Sequence, residues 1–296
     1  MISGKLRNRR DQRGVFDILN MILLGLYALL CVLPFVHIVA SSLTSPEELL
    51  TKKFVLFPTE WSLDAYKYVF STGKLLQSLG VTVFLTVVGT VLNVIFTTLM
   101  AYPLAKKELE GRRAIMLMVL FTMLFNGGMI PTFLLVKALG LLNSLWALIV
   151  PGLIGAFILI IMKNFFQQLP EGIEESAKID GCHELGILFR IVIPLSLPSV
   201  ATISLFYAVG HWNVFMSAIL YLNKADLWPL QVLLRQVVLV TTGGLGDSSN
   251  WSSEFVPPPQ TVRMAVIVVA TVPILLVYPF IQKHFAKGAL LGSVKG

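Results

Sequence analysis

The chain has 296 residues, of which 56% are hydrophobic and only 13% are charged, and its mean hydropathy is +0.80. Soluble domains are about one quarter charged, so this composition indicates an integral membrane protein. The net charge of +7 agrees with the positive-inside bias of membrane proteins, and because no basic-aromatic motif stands out, nucleic acid is not an expected partner. Cys31, in an apolar run, and Cys182, in a polar stretch, are expected to be free thiols.

The first transmembrane helix is predicted in the uncharged run that starts at Ile18 and continues past Ala40, after a basic N-terminal segment. The run is longer than the core of a signal peptide and no convincing cleavage site follows, so it is interpreted as a retained span. Five further runs are long enough to cross a bilayer, which takes about 20 residues. They are Gly80–Ala105, Ala114–Val136, Leu139–Met162, Ser196–Tyr221 and Met264–Ile281.

The distribution of basic residues predicts the orientation of these six spans. Most of the 23 Lys and Arg residues fall in segments 1–17, 106–113, 163–195 and 282–296. Basic loops stay in the cytoplasm, so both termini are predicted there. The sequence thus predicts an all-α polytopic membrane protein with a cytoplasmic segment (1–17), a six-helix domain (18–282) that contains a long outer loop (222–263), and a cytoplasmic tail (283–296).

The longest polar interruption on the predicted cytoplasmic side is the segment 165–195, which begins with a short predicted helix, Pro170–Asp180. Proline suits the first turn of a helix, and the acids that follow it complement the helix dipole. Glu174 and Lys178 stand four residues apart in the orientation that favours an ion pair. Gly181 then ends the helix, since glycine adopts the left-handed conformation without strain.

A second amphipathic helix is predicted after this turn, leading to Pro194 and the membrane. Its apolar residues at helical spacing are Leu185, Leu188, Phe189 and Val192. A helix of about ten residues is marginal alone in water, so the first helix is expected to need a partner surface. On pattern alone, an ordinary surface helix-turn-helix is an equally good interpretation.

The residues of this segment resemble a known family motif, the EAA loop of the permease subunits of binding-protein-dependent ABC importers. The resemblance is carried by Glu175, Ser176, Ala177, Gly181 and the run Ile191 to Pro194. The chain departs from the family pattern at Ser176, where the family usually has Ala, and at Ile193, where it often has Leu. The resemblance extends over nearly the whole chain, including NGGMIPTFLL from Asn126. It is closest to the carbohydrate-uptake branch, which includes aldouronate, oligosaccharide and maltose-type permeases.

This resemblance implies a permease subunit of an ABC importer in the bacterial cytoplasmic (inner) membrane, with the EAA loop as a coupling loop between helices 4 and 5. No cofactor is implied in this chain, because ATP and Mg are bound by partner subunits. The implied partners are two copies of a cytoplasmic ABC ATPase, a second homologous permease, an extracytoplasmic solute-binding protein, membrane lipid and an oligosaccharide, with an acidic, uronate-type one suggested by the aldouronate permeases. The expected coupling residues are Glu174, Glu175, Ser176, Ala177, Asp180, Gly181 and Pro194.

Other classes of function have less support in the sequence. No P-loop, zinc-ligand spacing or Gly-x-Ser-x-Gly motif occurs, so no catalytic or metal site is expected and an intramembrane hydrolase is disfavoured. The predicted spans contain no Asp or Glu, which argues against an ion-coupled secondary transporter. An ABC permease for an uncharged sugar or a non-carbohydrate solute remains an alternative.

Polar residues in the second and third predicted spans allow two interpretations each. Small and hydroxyl residues line one face of the second span, as either a packing seam or a solute-lining face, and packing is favoured. They are Thr82, Thr86, Gly89, Thr90, Asn93 and Thr97. The third span is interrupted at Asn126-Gly127-Gly128 and Pro131, which we interpret as a kink beside a cavity, with a hinge or a simple kink as alternatives.

The fifth span carries polar and aromatic groups that suit a sugar path. They are Ser204, Tyr207, His211, Trp212 and Asn213. Aromatic faces and hydrogen-bonding groups fit sugar rings, so these residues and Asn126 are the predicted substrate path. The alternative is that His211 and Asn213 form hydrogen bonds between helices. In the outer loop, Leu227–Val240 is predicted to be an interfacial or packed helix, and the Gly/Ser/Pro-rich stretch after it is expected to be mobile or ordered by a partner.

Overall fold

The computed structural model describes residues 15–241, except 53 and 72, and residues 260–293, without the side chains of 15, 171, 240, 241 and 277–293. Every regular element in these ranges is a helix, and an isolated bridge joins Thr44 to Trp61. The all-α prediction is therefore confirmed. The described residues form two compact units, one of 15–69 with 260–268 and the other of 70–241 with 269–293.

The first unit is built on α1 (Val15–Ser42), followed by α2 (Pro46–Thr51) and α3 (Asp64–Ser71). Side chains 16–36 of α1 are all exposed and mostly apolar, the pattern of a helix that lipid or a partner surrounds. After α1, the carboxylate of Glu48 accepts hydrogen bonds from Thr59 Oγ1 (2.6 Å) and the Glu60 backbone N–H (3.0 Å). The hydrogen bond from Thr59 is the main reason why the pKa of Glu48 falls to about 2.

The second unit is built around α4 (Lys74–Ala105), which runs unbroken for 32 residues. The helices between α4 and α15 are shorter. They are α5 (Arg112–Leu124), α6 (Met129–Ala138), α7 (Trp146–Ile149), α8 (Ala156–Phe166), α9 (Glu171–Ile179), α10 (Glu184–Ile187), α11 (Ile193–Leu195), α12 (Leu197–Trp212), α13 (Met216–Tyr221) and α14 (Leu230–Thr241). The last helix, α15 (Gln260–Ser293), contributes to both units.

Sharp bends interrupt the third and fourth predicted spans, and another separates the segment before the fifth span from that span. The bends are 116° between α5 and α6, 52° between the segment Trp146–Gly152 and α8, and 87° between the segment Glu184–Leu195 and α12. The two unbroken helices of the described chain that suit a bilayer by length and composition are α1 and α4, and α15 is apolar over Gln260–Leu276. The count of six spans stays a prediction.

Several predicted boundaries are wrong, and each error has a local cause. The fourth span does not start at Leu139, because Gly140 (φ 69°) and Asn143 (φ 58°) form a turn and helix resumes only at Trp146. The Asn143 backbone N–H donates to the carbonyl of Tyr221 (2.8 Å), which holds this turn against the end of α13. The kink expected in the third span is a full break at 125–128.

The fifth predicted span is also interrupted, since residues 213–215 separate α12 from α13. The helix predicted over Leu227–Val240 begins at Leu230, directly after Pro229, and is packed, with Leu230 and Val232 almost fully buried. The Gly/Ser/Pro-rich stretch after it, 242–259, lies outside the described residues.

Two hydrophobic clusters lie along α4. At its C-terminal end, Tyr102 and Leu104 pack with residues of α8, of α9 and of the segment 184–195, among them Met162, Ala177 and Ile187. Nearer its N-terminal end, α4 contributes Leu85 to a cluster with Ile149, Tyr221 and Trp228. The segment that carries the predicted coupling motif therefore packs directly on the end of α4.

Candidate functional site

The first helix of the predicted coupling loop, α9, forms nearly as the sequence predicts. Pro170 is not in its first turn but precedes it as the N-cap residue, with extended backbone (ψ 125°). At the other end, Gly181 has φ 81°, its N–H donates to Lys178 O (3.0 Å), and the Cys182 N–H donates to Ala177 O (2.9 Å). These two bonds define a Schellman motif, which satisfies carbonyls left free at the helix end.

The two faces of α9 differ in chemistry. Ala177 is buried and packs into the cluster at the end of α4, and Glu174 beside it is half-buried. Ile179 is 86% exposed and Ile173 38% exposed. Glu175 and Ser176 are also exposed, so the EAA-type residues lie on a helix that presents apolar surface outward.

Two side chains near the end of α4 contact acids of α9 and α10. The Tyr102 hydroxyl lies 3.1 Å from Glu174 Oε2 and 3.0 Å from Glu184 Oε2. Lys106 Nζ pairs with Glu174 at 3.4 Å and contacts Glu184 more closely. Lys178 Nζ lies 3.0 Å from Glu184 Oε1. We call these five residues the coupling cluster.

Electrostatics in the coupling cluster favour the charged carboxylates. The hydrogen bond from Lys106 is the main cause that holds the pKa of Glu184 at about 2, and Lys178 and Tyr102 lower it further. The Lys106 ammonium also lies 4.3 Å from the centroid of the Tyr102 ring, a cation–π distance. The ion pair predicted between Glu174 and Lys178 is replaced by two others. Glu174 pairs with Lys106, and Lys178 pairs with Glu184.

Sequence reasoning missed Tyr102 and Lys106. The available signal was their spacing at i and i+4 where a long apolar helix ends beside the basic segment. Nothing in that spacing identifies the two acids, which lie 72 and 82 residues after Tyr102. Of the other predicted coupling residues, Asp180 is the exposed C-cap of α9, and Pro194 lies within α11, next to the bend that leads to α12.

The polar groups predicted in the second and fifth spans meet at the contact of α4 with α12. His211 Nε2 lies 2.7 Å from Asn93 Oδ1. The Asn93 amide nitrogen donates to the carbonyls of Gly152 (2.6 Å) and Leu153 (3.0 Å), so its oxygen is the acceptor and His211 Nε2 the donor. The Asn93 side chain thus pairs with carbonyls that are free where the helix breaks before α8.

Tyr207 forms a second connection of the same kind, one turn of α12 away. Its hydroxyl lies 2.7 Å from Thr97 Oγ1 and accepts a hydrogen bond from the Gly155 N–H at 3.1 Å. Tyr207 and Thr97 are both buried. Asn93 and Tyr207 therefore satisfy the backbone on both sides of the bend between α7 and α8, as irregular backbone requires where water does not reach it.

Close packing accompanies these hydrogen bonds. A Cβ atom added to Gly89 would stand 2.5 Å from Nε2 of His211, so glycine alone admits the imidazole ring here. Thr82, Gly89, Asn93 and Thr97 are buried, in agreement with the packing interpretation of this face. Among the described residues, the buried hydroxyls of Thr86 and Thr90 have no hydrogen-bond partner.

In the described part of the chain, the other predicted path residues make local contacts and do not join the groups around Asn93 and Tyr207. The Ser204 hydroxyl donates to Val200 O (2.7 Å) within α12. Asn213 is exposed, donates to Val209 O (2.9 Å) and lies 3.4 Å from Gln231 Nε2. Asn126, also exposed, accepts from the Gly128 N–H at the break before α6. Trp212 is buried, and its Nε1 has no partner in the described part of the chain.

Comparison with known proteins identifies the class to which this architecture belongs. Residues 78–290 match the family model described as "Binding-protein-dependent transport system inner membrane component". The chain belongs to this family. It is a multi-pass membrane subunit of a transport system and not an enzyme, and it works with a separate ATPase, a solute-binding protein and a second permease.

Individual relatives are close over nearly the full length. The "Polygalacturonan/rhamnogalacturonan transport system permease protein YtcP" of Bacillus subtilis is 62% identical and is matched over 95% of this chain and 99% of its own. Protein LplC of the same organism is 55% identical over 95% of both chains. A crystal structure of "a bacterial ABC transporter involved in the import of the acidic polysaccharide alginate" matches with a TM-score of 0.83 and 34% identity, over 92% of this chain and 96% of that one.

Proposed function

We propose that the chain is a permease subunit of an ABC importer that moves an acidic oligosaccharide of the uronate type into the cell by alternating access. The observation that carries the substrate class is the 62% identity, over 95% of the chain, to a polygalacturonan/rhamnogalacturonan permease. The similarity to a structure from an alginate importer supports it, because alginate is also an acidic polysaccharide.

The proposed ATPase contact is the exposed face of α9. Glu175 and Ser176 lie there with Ile173 and Ile179, and apolar side chains exposed on a polar loop mark a binding surface. The occupant is one of two copies of a cytoplasmic ATPase, and the second copy docks on the homologous permease. Gly181 and Asp180 fix the end of this helix, and Pro194 lies at the return to the membrane.

The proposed topology follows the basic residues. Segments 1–17 and 283–296 lie in the cytoplasm, residues 18–282 form six spans with the coupling loop at 165–195, and the loop 222–263 faces the binding protein outside the cell. In this arrangement, α14 and the loop that follows Tyr221 lie on the outer side of the membrane, at the opposite end of α4 from the coupling cluster.

The proposed solute path consists of Asn126, Ser204, Tyr207, His211, Trp212 and Asn213. Four of these residues divide between two roles. Tyr207 and His211 are hydrogen-bonded to α4 and shape the wall. Asn213 and Asn126 are exposed, and each amide makes local hydrogen bonds that leave further donor and acceptor positions for sugar hydroxyls. His211→Ala should then lower the melting temperature of the complex and slow the uptake of all sugars alike, whereas Asn213→Ala should slow one sugar more than another at unchanged stability.

The substrate proposal is tested with the assembled complex in proteoliposomes that contain its ATPase and are supplied with its binding protein. Uptake of a galacturonate trisaccharide is compared with uptake of a neutral trisaccharide of equal length. ATP-dependent uptake of the galacturonate is the expected result. Uptake of the neutral sugar alone would overturn the acidic substrate while leaving the permease assignment in place.

A further inference from the structure

The coupling cluster connects α9 to the end of α4 through the buried side chain of Tyr102 and the half-buried side chain of Lys106. Lys106 is 19% exposed and Glu174 25% exposed, so solvent screens their ion pair less than it would a pair on an open surface. Tyr102 and the α4 C-cap residue Lys106 also contact Glu184. The segments before and after the Gly181 turn are therefore both attached to the end of α4.

Further contacts reinforce this end of α4. The Gln167 side chain donates to Ala105 O (3.1 Å), and Arg112 Nε donates to Leu104 O (3.0 Å), so carbonyls of the last helical turn have partners. Ala177 of α9 lies in one apolar cluster with Tyr102. A displacement of α9 therefore cannot leave the end of α4 behind without breaking buried and polar contacts together.

The same helix is fixed at its middle and at its other end. Asn93 and Thr97 hold α12 as described above. Near the start of α4, Thr82 Oγ1 accepts from the Leu230 N–H (2.8 Å), and Gln77 Nε2 donates to Asp226 O (3.1 Å). These last contacts reach the start of α14, in the proposed outer loop.

We propose that α4 transmits motion between the ATPase side and the solute-binding side, and that Tyr102 and Lys106 are the positioning residues that engage it with the coupling loop. An unbroken helix of 32 residues spans about 48 Å and moves as one body, whereas three neighbouring spans have breaks that absorb displacement. A push on α9 is carried through α4 to His211 and Tyr207 on α12, and to the loop before Leu230.

This inference rests on the proposed function, and it predicts uncoupling when the attachment is removed. In proteoliposomes with the complete complex, Tyr102→Phe removes the hydroxyl shared by two carboxylates, and Lys106→Met removes the charge but keeps most of the apolar stem. Each variant should raise the number of ATP molecules hydrolysed per solute transported by about ten-fold, the effect of losing one hydrogen bond to a charged group. Lys106→Arg should restore most of the coupling.

Matched controls separate attachment from general damage. Lys67→Met removes an exposed ion pair with Asp64 (3.0 Å), and Tyr66→Phe removes a hydroxyl contact with Ser42 (2.8 Å), both in the first unit. Both should leave the ratio of ATP to solute unchanged.

The outcomes distinguish this inference from the proposed function. An unchanged ratio of ATP to solute in Tyr102→Phe and Lys106→Met would overturn the proposed role of α4. A proportional loss of transport, ATP hydrolysis and melting temperature would also overturn it, because the cluster would then be purely structural. Because the ratio is measured with whichever solute the binding protein delivers, it stays informative if the acidic sugar is the wrong substrate. An unaltered complex that imports no acidic sugar would instead refute the substrate proposal alone.

Discussion

Gly181 is the residue at which the two helices of the coupling loop change direction, and its backbone conformation (φ 81°) is one that side chains with a Cβ resist. A β-branched residue in this left-handed region costs roughly 1–2 kcal/mol or more. Gly181→Val should therefore displace the Schellman turn and separate ATP hydrolysis from transport while the protein still inserts. Stimulated ATP hydrolysis and uptake are the measurements.

Gly25→Val is the control for Gly181→Val, because Gly25 lies in α1, away from the coupling loop, with open space around it and an ordinary φ. Normal solute-stimulated ATP hydrolysis together with normal uptake in the Gly181 variant would remove this turn from the coupling mechanism.

Glu184 makes the coupling cluster sensitive to acid. Its pKa lies near 2 in the folded chain, below the ordinary value of 4.5, so folding favours the ionised form. This stabilisation is complete above pH 4.5 and is lost as the pH falls toward 2. In the purified complex, the decrease in melting temperature over this range should be smaller for Glu184→Gln than for the unaltered chain. Parallel curves would contradict the assignment.

At the scale of elements, the contact of α4 with α12 depends on the missing side chain of Gly89. Gly89→Ala should push the His211 ring away, break its bond to Asn93 and lower the melting temperature of the complex, at a cost of about 1–3 kcal/mol. Gly80→Ala is the matched control, since a Cβ there meets nothing within 4 Å and alanine favours the helix. Equal melting temperatures for the two variants would show that the ring has room to move.

The sequence predicted the boundaries and faces of helices correctly where neighbouring residues determine them. The start of α9 after Pro170, its end at Gly181 and the polar face of α4 follow from capping, backbone freedom and helical period. The bends were not predictable in size, because an apolar run reports the length of a span and not its path. Asn126-Gly127-Gly128 indicates an interruption, but the neighbours that satisfy the freed backbone determine whether it becomes a kink or a 116° turn.

Sequence patterns could not predict the contacts between distant segments of the site. The pairing of Lys106 with Glu184 joins residues 78 positions apart, and that of Asn93 with His211 joins residues 118 apart. For each of these polar residues, the sequence offers several possible partners. The fold selects among them, which is why a local partner, Lys178, was predicted for Glu174 and a distant one was found.

At the scale of the whole molecule, topology is the prediction with the widest consequences. In a chain without native cysteines, a cysteine at position 248, in place of Ser248 and outside the described residues, should react with an impermeant reagent added outside the cell. A cysteine in place of Glu108, just after α4, should react only after the membrane is opened. The reverse pattern would invert the six-span arrangement and the assignment of α9 to the ATPase side.

The Asn93 side chain also constrains how the protein is made. The carbonyls of Gly152 and Leu153 obtain their donors from a helix synthesised about sixty residues earlier, and a carbonyl left bare in hydrocarbon costs several kcal/mol. The later span thus gains a favourable place in lipid only beside α4. We therefore expect a substitution that removes the Asn93 amide to lower the amount of stably inserted protein in the cell, in addition to any effect on transport.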